Sequence, residues 1–483
     1  MRKGLVAPQD LLVAAPVYGH ALLDAPDIGA PMTRTTARPL RRILGIGFGL
    51  ALVFGTMVGV GILRLPGAVA AALGDRTLIM VAWGLGGLYS LMGAVAVAEL
   101  AAMIPETGGF RVYARRAFGE GIGFAVGWVD WLTNVAALGY VSVTTVAFLG
   151  VLWQPATAFP RASAILVIGI FTGVQWVGLR LGSSLTAIIS AAIGLMLMIL
   201  VLGCFLAVPA PAAAALPLAT SAASLPPMSV GMMFALVPAL RAVLTAYDGW
   251  YQPIYMAEEN TDPVRTLPRA IIGGTLLVVA LYLVINFAFL HVLSLPVLAA
   301  SQLPAADAAR IVLPRGGAEL VTVISLLTVL SVLNNVMMSA PRILYAIGRD
   351  GLLTEKTAIV SRGGTPRTAL ALTSLVVVIL ILTGSFEQII ALSAVLFLIY
   401  YIAAFLSVFV LRYRFPDLPR PYRALGYPFS TGIVLVGSIA FLIAAVADDP
   451  RSGLVAAIFL ACCFPVYAWL ARNRRRRTEF QLV

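Results

Sequence analysis

The chain is poor in charge, in histidine and in cysteine, and each shortage closes off a class of function. Only 11% of its 483 residues are charged, against about 25% in an ordinary soluble domain. The two histidines, His20 and His291, cannot make a metal cluster, and the composition implies no cofactor. Cys204, Cys462 and Cys463 all fall in apolar runs, with no spacing for zinc or for a disulfide framework. Residues 1–40 lack a basic region leading into an apolar core and a small-residue cleavage site. No signal peptide is expected there, and the stretch reads as a mobile cytoplasmic tail.

What the chain has instead is apolar length. It is 60% hydrophobic, with a mean hydropathy of +0.97. Its net charge is +12, nearly all of the basic residues being arginine. In a soluble protein that excess would suggest nucleic acid. Here it gathers in short loops and at the termini, which points to membrane topology and anionic lipid, with no nucleic-acid partner.

A hydrocarbon core of about 30 Å takes roughly 20 apolar residues per helix. Segments near 43–73, 77–103, 121–152, 162–179, 184–208, 229–257, 268–293, 318–347, 367–384, 386–411, 428–447 and 452–471 meet that test. The expected fold is therefore all-α and polytopic, with about twelve spans. The membrane domain covers 41–472, and a basic C-terminal tail covers 473–483. Placing both termini in the cytoplasm puts Arg38, Arg41, Arg42, Arg111, Arg115, Arg116, Arg265, Arg269, Arg349, Arg412, Arg420, Arg423 and the run 474–477 on one side. The other side keeps scattered arginines such as Arg76, Arg161 and Arg451, and an uncharged loop over 209–228. That bias sets the expected orientation.

Two spans carry glycine-broken segments at matching positions. Span 1 reads Phe54-Gly55-Thr56-Met57-Val58-Gly59-Val60-Gly61-Ile62, and span 6 reads Leu244-Thr245-Ala246-Tyr247-Asp248-Gly249-Trp250-Tyr251. Unwound backbone is tolerated at membrane depth only where it lines a polar cavity. Paired breaks in the two halves of a chain point to a transporter's substrate site, and their separation by five spans suggests a five-plus-five inverted repeat. Gly55 and Gly59 also fit the small-xxx-small spacing of helix packing. Val60-Gly61-Ile62 reads as a turn from which a new half-helix starts, whose N–H groups would take a carboxylate. The Thr56 hydroxyl either adds a donor or bonds back to its own helix. Asp248 is expected to cap the second half of span 6 by accepting from the N–H of Trp250 or Tyr251. The carbonyls near Thr245 and Ala246 form a negative end suited to an ammonium group.

Weaker candidates for the cavity wall are Asp130 and Asn134 on span 3, and Asn334 and Asn335 on span 8; hydrogen bonding between helices is the competing reading. Trp250 and Tyr251 read as packing or interfacial anchors. Glu99, Glu258, Glu259 and Arg342 lie near cytoplasmic helix ends and are expected in gate or loop ion pairs. Asp262-Pro263 reads as the cap and first residue of a short surface helix.

These residues resemble the amino acid–polyamine–organocation superfamily, and within it bacterial relatives of the L-type amino acid transporters. The resemblance runs from about Arg41 to Arg472. Gly59-Val60-Gly61-Ile62 looks like the family's G-S-G-I-F, and Pro105 to Tyr113 like its P-x-x-G-G-x-Y-x-Y loop. Ala246-Tyr247-Asp248-Gly249-Trp250 followed by Glu258 to Arg269 resembles its Y-D-G-W…E-E…P-x-R-x-x-P-R. Pro341-Arg342…Gly348-Arg349-Asp350-Gly351 and Pro419 to Arg423 add two further stretches. The resemblance implies a five-plus-five fold moving amino acids by alternating access. It places the substrate carboxylate at the backbone of Val60, Gly61 and Ile62, and the amine at carbonyls near Met57, Thr245 and Asp248. The site is thus expected to involve Thr56, Met57, Val60, Gly61, Ile62, Thr245, Ala246, Tyr247 and Asp248. Phe110 and Val112 diverge locally from the loop pattern, and three further positions depart from the family: Val60 replaces a serine, Thr245 stands where many relatives have a gating phenylalanine, and Ile193 falls about where a lysine helps replace sodium. Neutral amino acids are the expected substrates. The alternatives are a cationic amino acid or polyamine exchanger of the same fold and a membrane-embedded enzyme. Against the enzyme, the spans lack paired histidines, a G-x-S-x-G turn and a carboxylate cluster.

Overall fold

The computed structural model describes residues 40–207, 230–384 and 386–481. Apart from Leu40, the expected N-terminal tail lies outside the described residues, as does the loop 209–228. In chain order the helices are α1 (Ile46–Met57), α2 (Val60–Leu73), α3 (Arg76–Met103), α4 (Phe110–Phe118), α5 (Glu120–Leu152), α6 (Pro160–Val177), α7 (Leu179–Leu206) and α8 (Val230–Ala246). A 3-10 segment follows at Gln252–Glu259. The chain continues with α9 (Pro263–Val292), α10 (Leu295–Ala300), α11 (Pro304–Val312), α12 (Gly317–Arg349), α13 (Arg367–Thr383), α14 (Phe386–Arg414), α15 (Phe429–Asp448) and α16 (Pro450–Gln481).

Among the described residues nine helices are long and apolar enough to cross a bilayer, and α1 with α2 makes one further span bent by 44°. The shorter apolar stretches Leu236–Ala246 and Arg367–Thr383 occupy the places of spans 6 and 9. The chain is an all-helical polytopic membrane protein in the expected span order. α16 continues as helix through the start of the basic tail, to Gln481. Asp262 caps its helix as expected, accepting from the Arg265 N–H at 3.3 Å, but the helix it opens is the 30-residue α9 and not a short surface piece.

The helix pairs that touch explain how the core is built. α2 packs on α8, α3 on α9, α5 on α12 and α6 on α13, which joins spans 1 and 6, 2 and 7, 3 and 8, and 4 and 9. α1 packs on α9 and α3 on α8; α5 packs on α14 and α7 on α12. Exchanging each of the first five spans with its counterpart five places later maps this set onto itself. Small residues permit the closest of these approaches: a Cβ on Gly49 would lie 2.5 Å from the Ala270 Cβ, and one on Gly274 would lie 2.7 Å from Val53. Large apolar side chains on the opposite faces, such as Leu166, Leu195, Val436 and Ile458, are exposed, as lipid-facing surface requires.

Candidate functional site

Span 1 breaks at Val58-Gly59. The Val58 N–H still reaches the Phe54 carbonyl at 2.8 Å, while Gly59 is extended and its N–H turns to the Met57 carbonyl at 2.8 Å. The turn expected at Val60-Gly61-Ile62 therefore lies one to two residues earlier. Those three residues form the first turn of α2, whose N–H groups have no acceptor within the helix. The Thr56 hydroxyl takes the second of its two expected roles: it donates to the Leu52 carbonyl at 2.7 Å and accepts from the Asn335 amide at 3.1 Å.

Span 6 unwinds after Ala246 into a turn over 247–251, with Gly249 at φ +108, a region glycine enters at no steric cost. The expected cap bond from Asp248 is replaced. The 3-10 segment begins after Tyr251 with no side-chain cap, and the Asp248 carboxylate accepts from the Tyr401 hydroxyl. The physical reason is length: the turn separates Asp248 from the next helical N–H groups, while α14 brings a phenol directly against it. The two breaks touch. A Cβ on Gly249 would lie 2.9 Å from the Thr56 Cγ2, and one on Gly61 would lie 3.3 Å from the Ala246 Cα.

Between the breaks lies a cavity of about 760 Å³. Of the residues expected at the site, Thr56, Met57, Gly61, Thr245, Ala246 and Asp248 line it, together with Asn134 from α5. Val60, Ile62 and Tyr247 do not. Ile62 and Tyr247 point into the core, and the Tyr247 hydroxyl donates to the Trp83 carbonyl at 3.2 Å. Asp130, Asn334 and Asn335 are corrected as well, since all three are fully buried off the cavity. Asn334 accepts from Gln175 at 2.8 Å and donates to the Gly182 carbonyl at 3.0 Å. Asn335 accepts from Thr186 at 2.7 Å. Asn334 ties α12 to α6 and α7, and Asn335 ties it to α7 and, through Thr56, to α1, the competing reading. Buried polar groups are satisfied by one another before any ligand arrives.

Two residues at the breaks were missed altogether: Tyr401, the donor to Asp248, and Tyr282. Tyr282 of α9 donates its hydroxyl to the Met57 carbonyl at 2.6 Å, with the Ala246 carbonyl also within reach at 3.2 Å. The Met57 oxygen, expected to meet an amine, thus already accepts from Tyr282 and from Gly59. The Asp248 carboxylate remains as the acidic group on the cavity wall near the breaks. The other acidic lining residue, Asp448, pairs with Arg241 at 2.7 Å at the exposed mouth. At Ile193, which is buried, α7 offers no polar group; one turn earlier the Ser190 hydroxyl donates to the Ala51 carbonyl at 2.8 Å.

Away from the mouth the cavity is closed by an aromatic layer and then by charge. Phe110 stacks on Tyr400 at 4.8 Å between ring centres, and the Tyr251 and Tyr400 hydroxyls meet at 3.2 Å. Trp250 stacks on Tyr401 at 5.6 Å; it and Tyr251 are buried and line the cavity, and are not interfacial anchors. Beyond them Arg342 grips Glu259 with two bonds of 2.7 Å, and Arg349 reaches Glu258 at 2.6 Å. Arg412 holds Glu99. The expected ion pairs of Glu99, Glu258, Glu259 and Arg342 are all formed. Asp350 adds a further node, paired with Arg111 and, at 2.7 Å, with Arg115. Burial alone would raise its pKa, but Arg111 and Arg115 outweigh burial and hold the carboxyl below the ordinary range.

The cavity thus lies between two broken helices with partial charges of both signs, and the comparison with known proteins shows the family. Residues 50–464 match the family model for amino acid permeases. The chain belongs to the amino acid permease family. It is an amino acid transporter and not an enzyme. Among the relatives of this permease is the serine/threonine exchanger SteT of Bacillus subtilis (strain 168), 29% identical over 90% of this chain and 98% of its own. The b(0,+)-type amino acid transporter 1 of Mus musculus is 26% identical over 86% of this chain and 85% of its own. The large neutral amino acids transporter small subunit 2 of Mus musculus is 26% identical over 80% and 73%.

Proposed function

We propose that this permease exchanges neutral amino acids across the cytoplasmic membrane by alternating access. The observation that carries the reading is the pairing of two opposite poles in one cavity: the first turn of α2 and the Asp248 carboxylate. Free N–H groups and the positive helix end favour a carboxylate near Gly61. Asp248, with the carbonyls at the end of α8, favours an α-ammonium. One acceptor pole and one donor pole suit a zwitterion with an uncharged side chain. A second cation would need a second acidic partner, because an unpaired charge at that depth is costly. Thr245, on the cavity wall, leaves room for a medium-sized side chain. The exchange mode is supported by the relative whose name states serine/threonine exchange.

The orientation proposed from the arginine bias puts the ion-paired floor in the cytoplasm with both termini, and the mouth at Arg241 and Asp448 outside. Exposed arginines on the floor side, among them Arg41, Arg42 and Arg265, then meet anionic lipid.

Competition for binding to the purified protein tests the substrate class. Serine, alanine or leucine is expected to displace bound ligand far better than arginine or putrescine. The reverse order favours the cationic exchanger and makes Asp248 the first residue to replace.

A further inference from the structure

We propose that Asp130 is a proton-binding site of the transport cycle, loaded in the conformation seen here and emptied when the floor opens. The carboxyl sits in the first half of α5 with none of its surface exposed. Its Oδ1 accepts from the Tyr255 hydroxyl at 2.7 Å and from the Asn134 amide at 3.0 Å. Among the described residues its Oδ2 has no hydrogen-bond partner. A buried carboxylate kept for structure alone would have both oxygens satisfied and a cation against it.

No cation is there. Among the described residues no arginine or lysine nitrogen lies within ion-pair distance of Asp130; on the surrounding elements Glu319, Arg451 and Arg472 are exposed, and the charged groups nearer the core are engaged elsewhere. On α4, Arg111 and Arg115 bind Asp350, and Arg116 lies over the Phe415 ring. On α12, Arg342 and Arg349 bind Glu259 and Glu258. On α16, Arg474 binds Glu120, to which Tyr467 also donates. On α14, Arg412 binds Glu99, Arg414 donates to the Ala117 carbonyl, and Tyr400 faces Tyr251. α6 and α13 each carry one arginine, Arg161 and Arg367, exposed at their first turns. The titratable neighbours that remain are Tyr255, in contact, and Tyr251 beyond it. A proton on Oδ2 neutralises the group on the oxygen that lacks a donor.

The three elements around Asp130 make such a proton exchangeable. Asn134, one turn along α5, lines the cavity. Tyr255 stands on the 3-10 segment after the span 6 break. Gly109, at φ +69, brings the loop before α4 so close that a Cβ there would lie 2.2 Å from the Tyr255 ring and 3.2 Å from Oδ2. Opening the floor must part the 3-10 segment from that loop, which removes the Tyr255 donor and lets water reach Oδ2. The step is a simple transfer: the carboxylic acid gives its proton to water, leaving a carboxylate and hydronium, and reloading reverses it from the other side.

The inference rests on the transport reading only for its effect on flux, so the test has two arms. In the first, pH-jump infrared difference spectra of the full-length protein in nanodiscs are recorded for wild type and Asp130→Asn. A protonated-carboxyl C=O band present in wild type and missing from the variant is the expected result; a band unchanged by the substitution overturns the proposal. In the second, exchange of labelled serine in proteoliposomes is followed between about pH 5 and pH 9 with equal pH on both sides. Wild type is expected to vary several-fold and Asp130→Asn to run flat. A variant that keeps the wild-type profile overturns the proposal. If Asp130→Asn does not fold, Tyr255→Phe replaces it: loss of that donor is expected to shift the carboxyl band, and an unshifted band counts against the site. If serine proves not to be carried, the infrared arm still decides.

Discussion

The Tyr282 hydroxyl reaches the Met57 carbonyl oxygen at 2.6 Å, from a helix that lies outside both breaks. With the Ala246 carbonyl 3.2 Å away, one phenol serves the frayed ends of spans 1 and 6 together. It occupies an acceptor that an incoming amine would otherwise use. Tyr282→Phe should therefore destabilise the empty protein by about 0.5–1.5 kcal/mol, the net worth of one hydrogen bond, because the Met57 oxygen keeps the Gly59 N–H. An amino acid whose ammonium takes the vacated place should stabilise the variant more than it stabilises wild type. Thermal melting with and without substrate measures both effects, and an equal or smaller ligand shift in the variant would rule the displacement out.

Gly61→Leu should abolish amino acid binding while leaving membrane insertion intact. The new side chain starts 3.3 Å from the Ala246 Cα and grows into the space between the two breaks. Affinity should fall by at least about tenfold, or 1.4 kcal/mol. A monodisperse variant that binds normally would move the carboxylate site elsewhere.

Asp350→Asn tests the ion-paired floor. Removing one partner of a buried pair costs about 3–5 kcal/mol. Because Asp350 titrates below its ordinary value, its contribution is fully present above about pH 4 and is lost as the pH falls through the lower folded value. The variant should melt well below wild type at neutral pH, and the gap should close on acidification. A gap that is constant with pH would mean that the carboxylate charge contributes nothing.

Single cysteines placed after Arg477 and in the loop 209–228, in a chain lacking Cys204, Cys462 and Cys463, should label from opposite sides of intact cells. The loop is expected to react with an impermeant reagent and the tail to stay protected. Equal labelling from outside would overturn the orientation.

Span order, both breaks and the ion pairs of the helix ends were legible in the sequence, because hydropathy, glycine and charge are local signals. Partner choice was not. Tyr282 lies in the run Leu281-Tyr282-Leu283-Val284, where nothing local marks its hydroxyl for carbonyls in spans 1 and 6. Asp248 looked like a cap because Gly249 follows it, yet the donor it meets, Tyr401, is 153 positions away in sequence. Asn334 and Asn335 carried the right chemistry for a cavity wall, but helix rotation turned them toward Gln175 and Thr186. That rotation is set by packing with α6 and α7, which no single segment encodes.

The two closures of the cavity are unequal in kind. At the mouth, among the described residues, one exposed ion pair, Arg241 with Asp448, spans the opening. At the floor, stacked rings and several shared arginines must part together, since Asp350 serves both Arg111 and Arg115 and cannot leave one without the other. Breaking many short contacts in one event carries a large activation enthalpy, whereas the mouth can rearrange for little. Transport should therefore slow steeply on cooling while ligand entry from the mouth side hardly changes, so that in the cold the carrier fills but does not turn.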